Sequence, residues 1–483
     1  MPPVTLSIVV PVYNEAGLIA GVLDRILTVP ASYLAERNIR PEIILVDDGS
    51  RDNSAAMIQQ YIEADCGRHG IRLLRHVRNR GKGAAIRTAL AVATGEFCII
   101  QDADFEYDPG EYSKLLEPLL ADEADIVFGS RFSAAGAHHV SRFWHSTANR
   151  VLTTLCGMAA HLRLTDALTC FKAFRTVIAQ SIPLRSEKFG IEAELTIKFA
   201  KRRARFCEVP ITYRPRTRAE GKKIRAKDTF GILGAICRSW IFRDLYVDKA
   251  AAMLGAMEHA PRFNRWMAGT LKPFLGDRVL EIGAGIGNLT RLLCANQPRY
   301  VVSDIDPYHL AQLRSQLRFR INVSVVSCNL ENSDDFHRFS GSMDAAICIN
   351  VLEHIEDDLR GLRNLHSALA PGGRAIVLVP QGENVYGTMD ETLGHYRRYS
   401  KATLESQMRQ AGFHVERIIE FNRVTYPGWF LNGRILRRRS VSRVQLWLFD
   451  LLVPLLKRID AYLPWPPTSL IAIGTRGDYH SEA

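Results

Sequence analysis

The sequence predicts an α/β protein of two successive units, each a mainly parallel, twisted sheet with helices on its faces. Three observations point there. At 483 residues the chain exceeds the ~250–300 residues at which a single core stops growing. Apolar strand-like runs alternate with helical patterns from LSIVVPVY to EFCIIQDAD, and the alternation starts afresh at RVLEIGAG. The turns PVYNE, DDGS, DAD and GAGIGN fall at strand ends, where open sheets of this kind bind ligands.

In the first unit, strands are expected at LSIVVPVY, EIILVDDGS, IRLLRHV and EFCIIQDAD, with a helix over Glu15 to Leu27 after the first strand. The segment 224–247 places Phe230, Leu233, Ile236 and Trp240 on one helical face and Lys227, Gly234 and Arg238 on another. A helix lying on a membrane surface has this pattern, and so does one packed on its own domain. In the second unit the order is RVLEIGAG, a helix over Asn288 to Ala295, YVVSDID, VSVVSCN, MDAAICIN and GRAIVLVP. Domains are therefore expected at 1–247 and 269–477, joined by a helical linker at 248–268. An insertion at about 427–466, between ERIIEFN and SLIAIGTR, carries RILRRRSVSR and then LWLFDLLVPLLKRIDAYL. Arginines ahead of an apolar, aromatic helix suit anionic headgroups and the acyl boundary together, or packing on the other domain.

Composition excludes less than it permits. The 47% hydrophobic and 23% charged content is globular, and a net charge of +11 suits nucleic acid, an anionic membrane or phosphorylated substrates. Nine cysteines without a CxxC pair read as core residues of a reducing compartment. The start, MPPVTLSIVVPVYNE, has no basic n-region and runs straight into a strand, so no secretory signal is expected. Arg238 and Asp450 interrupt the longest apolar runs, short of the ~18–20 residues a spanning helix needs. The expectation is a cytoplasmic protein held peripherally on the inner face of the membrane.

Asp102 and Asp104, two apart on an extended backbone, can face one side of a strand end. Hard oxygen ligands hold Mg2+ or Mn2+, and a nucleotide diphosphate supplies the remaining oxygens. Around QDADFEYDP, the motifs PVYNE, VDDGSRD, NRGKG and GSR occur in an order that resembles the inverting family 2 glycosyltransferases, especially the dolichol-phosphate mannose synthase-like branch, over about residues 4–247. That resemblance implies a GT-A type nucleotide-sugar-binding sheet. By it, Pro11, Tyr13, Glu15 and Asp47 line the base and ribose of a nucleotide-sugar donor, and Asp102 and Asp104 face the diphosphate and metal. Glu106 stands where the lipid-phosphate sugar synthases often carry a metal-holding glutamine, and Arg131 steadies phosphate charge. In YRPRTRAEGKKI, Arg216, Lys222 and Lys223 would close over the phosphates, a guanidinium bidentately and the lysines as point charges. A polyprenyl phosphate acceptor, already ionised, needs positioning more than proton removal. A glycan hydroxyl needs a base, for which Asp166 and Glu192 are candidates.

The second site begins at GAGIGN, which is GxGxG and lacks the third glycine of the dinucleotide fingerprint. Glu281 before the loop and Asp304 at the next strand end suggest recognition of an amino acid moiety and of ribose hydroxyls. With VVSDID, SCNLEN, DAAICINVLEHIEDD and LAPGGRAIVLVP following in order, residues 269–476 resemble the class I S-adenosylmethionine-dependent methyltransferases. The resemblance implies a Rossmann-like sheet and a cofactor site of Glu281, Gly283, Ala284, Gly285, Asp304, Asn329, Leu330 and Asn350, with Asn329 where many relatives have an aspartate. His354 is the nearest candidate base for a hydroxyl acceptor, and His395 and Tyr396 are candidates to touch the acceptor.

A two-step enzyme accounts for both sites: sugar transfer to a lipid phosphate, and methylation in the same pathway. A polysaccharide-extending transferase with a capping methyltransferase is the alternative, as is one half serving only for binding. No single-strand platform suggests nucleic acid as a partner.

Overall fold

The computed structural model describes residues 3–132, 143–216, 228–242, 244–247, 253, 255–438 and 443–477. They fall into two compact units, Met1–Val247 and Asp248–Ala483.

The first unit is a seven-stranded sheet of β1 (Val4–Val12), β2 (Ile39–Asp47), β3 (Ile71–Arg75), β4 (Phe97–Ile100), β5 (Ile126–Ser130), β6 (Lys172–Arg175) and β7 (Phe206–Pro210). The order is β3-β2-β1-β4-β6-β5-β7, with β6 antiparallel to both neighbours and the other pairs parallel. Ile8, Val9, Val10, Ile43, Ile44, Leu45 and Val46 are completely buried, as strands covered on both faces require. Register does the functional work: Val12 lies beside Asp47 and Val9 beside Ile100, so the residues following β1, β2 and β4 leave the sheet on one edge. The helix expected from Glu15 begins at Ile19 instead. Ser54 Oγ accepts from the Glu15 N–H at 2.8 Å and Ser50 Oγ from that of Asn14 at 2.9 Å, so these amides are satisfied outside a helix.

The second unit contains β8 (Arg278–Ile282), β9 (Arg299–Asp304), β10 (Val323–Ser327), β11 (Met343–Ile349), β12 (Leu369–Pro380), β13 (Phe413–Phe421) and β14 (Ser469–Arg476). They run in the order β10-β9-β8-β11-β12-β14-β13, with β14 antiparallel to its neighbours. Strand order reverses between β8 and β11, which opens a crevice at their carboxyl ends. The helix expected over Asn288 to Ala295 is a short turn, Thr290–Leu293, continuing as a 3-10 turn through Asn296. The Asn322 amide donates to the carbonyls of Cys294 and Gln297 at 2.8 Å each and ends it.

The helix Pro261–Leu271 crosses the expected edge of the linker at 268, and its Phe263, Met267 and Leu271 are buried in the second unit's core. Its first turn is capped from the insertion: Asp450 Oδ1 accepts from the backbone N–H groups of Arg262 and Phe263, at 2.9 Å each. Asp450 lies on the helix Arg443–Ile459, which is amphipathic in an inverted sense. Asp450 and Val453 face inward, while Val444, Trp447, Leu448, Leu451, Leu452, Leu455 and Ile459 are exposed. The helix Asp228–Ile241 in the first unit buries Ile232, Ala235, Ile236 and Ser239 and exposes Phe230, Leu233, Trp240 and Ile241. Ile236 thus belongs to the packed side rather than with Phe230, and Lys227 lies outside the described residues. No helix among the described residues is long and apolar enough to cross a membrane.

Asp450→Ala removes a cap that serves two amides, so the second unit should lose about 1–2 kcal/mol. Thermal unfolding should show its midpoint falling by a few degrees while that of the first unit stays put.

Candidate functional site

The first site is a concentration of carboxylates at the ends of β1, β2 and β4, together with the cations that hold them. After β4, Asp102 Oδ1 accepts from Lys82 Nζ at 2.5 Å, and the same ammonium lies 3.7 Å from Glu192 Oε1. Burial alone would lower the Lys82 pKa, but Asp102 and Glu192 hold it well above the ordinary value. Arg216 bonds Glu15 bidentately, at 3.2 and 3.1 Å, and also bonds Asp104. Its Nε is buried without a hydrogen-bond partner. Burial first, then the charges of Asp102 and Glu106, push Asp104 up to about 7, against the lowering effect of Arg216. Asp47 is buried, with Oδ1 accepting from the Ser50 N–H at 3.1 Å. Its Oδ2 makes no hydrogen bond and faces Arg75 Nε at 3.6 Å. Pro11 sits in β1 opposite Val46, and Tyr13 follows the strand.

Several expected roles shift. Glu106 does not join Asp102 and Asp104 in a three-carboxylate cluster: its oxygens accept from the Arg216 N–H at 2.9 Å and the Tyr213 hydroxyl at 3.0 Å. Arg131 turns its fork to the fully buried Asp166, with Nε 2.6 Å from Oδ2 and Nη2 2.9 Å from Oδ1, rather than outward to phosphate. Asp166 thus serves here as the counter-charge of Arg131. Glu192 is bound at 2.6 Å by Lys172. Lys222 and Lys223 lie outside the described residues. Lys82 and Asp48 were not singled out from the sequence. Asp48 accepts from His76 Nδ1 at 2.7 Å and from the Arg80 and Gly81 amides at 2.9 and 2.6 Å, and so shapes the NRGKG turn that carries Lys82. The signal was the DD pair of VDDGS, whose second member has a structural task. Asp102 and Asp104, hard oxygen donors in excess negative charge, fit a divalent cation such as Mg2+ or Mn2+ shared with a diphosphate.

The second site lies at the reversal between β8 and β11. Gly283, Gly285 and Gly287 have φ of +68°, +57° and +78°, and a Cβ on Gly283 would lie 2.3 Å from Val351 Cγ2. Ala284 donates its N–H to the Ser303 carbonyl at 2.9 Å. Asp304 accepts from the Gly285 and Asp306 N–H groups, at 2.7 and 2.9 Å, and His309 Nδ1 lies 3.2 Å away. Burial would raise its pKa, but His309 and these amides hold it below the ordinary value. Glu281 Oε2 accepts from the Tyr300 hydroxyl at 2.7 Å, and burial pushes this acid up to about 7. Asn350 stands at φ +52° with its N–H on Leu378 O at 2.9 Å. The Asn329 side chain accepts from the Glu331 N–H at 3.0 Å, and Leu330 is buried in the core. The set has the open backbone and the acidic groups that an S-adenosylmethionine site calls for. His354, by contrast, is held down to about 4 by desolvation and by His395, whose ring centre is 4.7 Å away, and is a weak base.

Residues 7–182 match the family model described as glycosyl transferase family 2, and residues 280–375 match the one described as methyltransferase domain. The chain joins a family 2 glycosyltransferase domain to a methyltransferase domain. Both are enzyme domains. Among curated relatives it is 27% identical over 237 residues to a dolichyl-phosphate beta-glucosyltransferase of Dictyostelium discoideum, covering 45% of this chain and 68% of that protein. It is 25% identical over 235 residues to a dolichol-phosphate mannosyltransferase of Pyrococcus furiosus, covering 48% of this chain and 63% of the relative. The chain thus spans about two thirds of the length of each of these relatives. A solved S-adenosylmethionine-dependent methyltransferase from Mesorhizobium loti aligns with 44% of this chain and 98% of its own, at 18% identity and a TM-score of 0.32.

Glu281 should make the methyltransferase domain pH-sensitive. Its folded value of about 7 exceeds the ordinary 4.5, so its contribution is fully present below the lower value and is lost as pH rises through the upper. Glu353, raised to about 8 by burial, acts with the same sign. The fall in melting temperature between about pH 5 and about pH 8 should shrink by several degrees in Glu281→Gln. An unchanged fall would mean that Glu281 ionises freely.

Proposed function

We propose that the chain is a bifunctional enzyme: an inverting transferase that moves a sugar from a nucleotide-sugar donor to a polyprenyl phosphate, and a methyltransferase that uses S-adenosylmethionine to methylate a hydroxyl or related group in the same glycan or glycolipid pathway. The observation that carries the first half is the convergence of Glu15, Asp47, Asp102 and Asp104 at the ends of three strands, with Lys82 and Arg216 as counter-charges. Asp47 Oδ2, without a hydrogen bond, is available to the nucleoside. A bound Mg2+ or Mn2+ would supply charge neutralisation at the departing diphosphate. Arg216 brings to the same place a buried Nε that lies 3.9 Å from Glu106 Oε1 and makes no hydrogen bond among the described residues, and Lys82 adds a positive charge behind Asp102.

The acceptor follows from what the acids are doing. Asp166 is bound by Arg131 and Glu192 by Lys172, so neither is poised to take a proton from a sugar hydroxyl. A lipid phosphate needs no base. An open cleft of about 720 Å3, lined by the cations Arg185, Lys188 and Arg238 and by the acids Glu187 and Asp228, adjoins the NRGKG turn, where a Cβ on Gly83 would meet Ser186 O at 2.4 Å, and its one-charge cationic excess is compatible with an anionic acceptor. Relatives whose names specify dolichyl phosphate point the same way.

Membrane attachment would be peripheral, on the inner face. The outward Trp447, Leu448, Leu451 and Leu455 supply the apolar contact, and the exposed Arg434, Arg437 and Arg438 precede them on the polar flank. In the methyltransferase, Glu281 receives the cofactor's amino group and Asp304 its ribose, while the glycines keep the backbone clear of it. Displacement at a sulfonium carbon depends mainly on alignment.

The decisive assay follows label from nucleotide sugars into solvent-extractable lipid with polyprenyl phosphate and Mg2+ or Mn2+. Asp104→Ala should lower transfer at least ~100-fold and leave S-adenosylmethionine binding intact. Gly285→Arg should do the reverse. Labelled glycan in place of lipid would transfer the acceptor role to a sugar hydroxyl, and loss of both activities from either substitution would refute two independent sites. On vesicles containing anionic lipid, Leu451→Glu with Leu455→Glu should weaken binding at least ~10-fold, and added salt should weaken the wild type.

A further inference from the structure

The loop after β11 carries a cluster that the two activities leave unexplained. Ligand-capable atoms of Glu353, His354 and His395 all lie within 4.8 Å of one another, and among the described residues no other trio of His, Cys, Asp or Glu does so. Glu353 is completely buried, and neither of its carboxylate oxygens has a hydrogen-bond partner among the described residues. A buried acid with both oxygens unused is costly and needs an explanation. His395 is also buried and is oriented from behind: its Nδ1–H donates to Asp390 Oδ1 at 2.9 Å. The lone pair of Nε2 is thereby directed at Glu353 Oε1, 3.9 Å away, too far for a hydrogen bond. Asp390 is itself fixed by Arg398 Nε at 2.9 Å and the Gly387 N–H at 3.1 Å. Tyr396 N–H donates to Glu353 O at 2.8 Å and ties the two loops together. His354 forms the solvent-facing side, through which an ion can enter.

We propose that Glu353, His354 and His395 bind a divalent first-row transition metal ion, with Asp390 as the outer-shell carboxylate that sets the His395 tautomer. Two imidazoles and one carboxylate favour Zn2+, Fe2+ or Mn2+ over Mg2+ or Ca2+, which prefer oxygen ligands alone. Ligands about 2.0–2.2 Å from one ion stand about 3.0–3.5 Å apart, so the cluster closes by about an ångström around it. A carboxylate that backs a ligand histidine is the usual outer shell of such sites. Three protein ligands leave positions open on the ion.

Its role rests on the methyltransferase reading. The acceptor hydroxyl oxygen occupies an open position, and its proton passes to water because ligation lowers the hydroxyl pKa. The oxygen lone pair then forms the O–CH3 bond while the C–S bond breaks, its electron pair remaining on sulfur as S-adenosylhomocysteine. No side-chain base is required.

The test is Co2+ and Zn2+ titration of the untagged, chelator-stripped full chain, read by the visible absorption of imidazole-ligated Co2+ and by calorimetry. The carboxylate-only site of the transferase does not produce the imidazole signature. The wild type should bind one such ion. Glu353→Gln, His395→Ala and His354→Ala should each weaken it at least ~10-fold, and Asp390→Asn about 10–100-fold. Exposed His354 keeps the test valid where a buried variant fails to fold. Absence of an imidazole-ligated ion, or an equal signal in Glu353→Gln and His354→Ala, overturns the site. S-adenosylmethionine binding is measured alongside: an ion bound without it would remove the methyltransferase role and leave the metal site standing.

Discussion

Acids at the carboxyl ends of parallel strands, and the cations that make their burial tolerable, are the constraint on which both halves of this chain depend. In the first unit Glu15, Asp47, Asp48, Asp102, Asp104 and Glu192 are buried or nearly so around one sheet edge. Lys82 serves two carboxylates and Arg216 three. Removing one member of such a set leaves an uncompensated buried charge, whose cost exceeds the worth of the lost pair. The same arithmetic makes the site receptive to cations and to ligands that bring cations with them. Electrostatics here holds the site in order as well as defining what it accepts.

The second unit solves the problem differently. Among the described residues Glu281 and Glu353 have no cation at hydrogen-bond distance, and they stay protonated to about pH 7 and 8 because burial penalises their charged forms. Asp304 and Asp390 stay ionised because amides, histidine and arginine surround them. A neutral acid in a crevice responds to an incoming cation by releasing its proton, whether the cation is an amino group or a metal ion. The two raised carboxyls thus mark the places where this domain gains most from a positively charged ligand.

Much of this was legible before any coordinates. Strand and helix alternation located both sheets, and the order of motifs located the acids at their ends, because those signals are local in the chain. What the sequence hid were partnerships between distant positions. Arg131 and Asp166 are 35 residues apart and read separately as a phosphate ligand and a base, but in space they neutralise each other. Arg216 and Glu15, 201 residues apart, form a bidentate pair that no spacing rule anticipates. Glu106 looked like a third metal ligand from its position, and the Tyr213 hydroxyl and the Arg216 amide engage it instead. The shortened helix after the glycine turn was also invisible, since the asparagine that ends it comes from another segment. Glu353 drew notice only as a motif member, and His395 only as a candidate to touch the acceptor. Their convergence depends on a loop closure between Tyr396 and Glu353 that is nonlocal.

The inverted helix Arg443–Ile459 sharpens the question of why the two domains share a chain. An ordinary surface helix hides its apolar residues, and this one packs Leu446, Phe449 and Val453 inward beside an acid that caps a neighbouring helix, yet leaves a second apolar stripe outside. The helix Asp228–Ile241 in the transferase likewise exposes Phe230, Trp240 and Ile241. Exposed aromatic and aliphatic clusters of this kind mark surfaces that are covered in use. If a lipid bilayer covers both, a lipid-linked sugar released by one domain stays in the layer on which the other domain works. Confinement to that layer raises the effective concentration of the intermediate without a channel or a fixed arrangement of the domains.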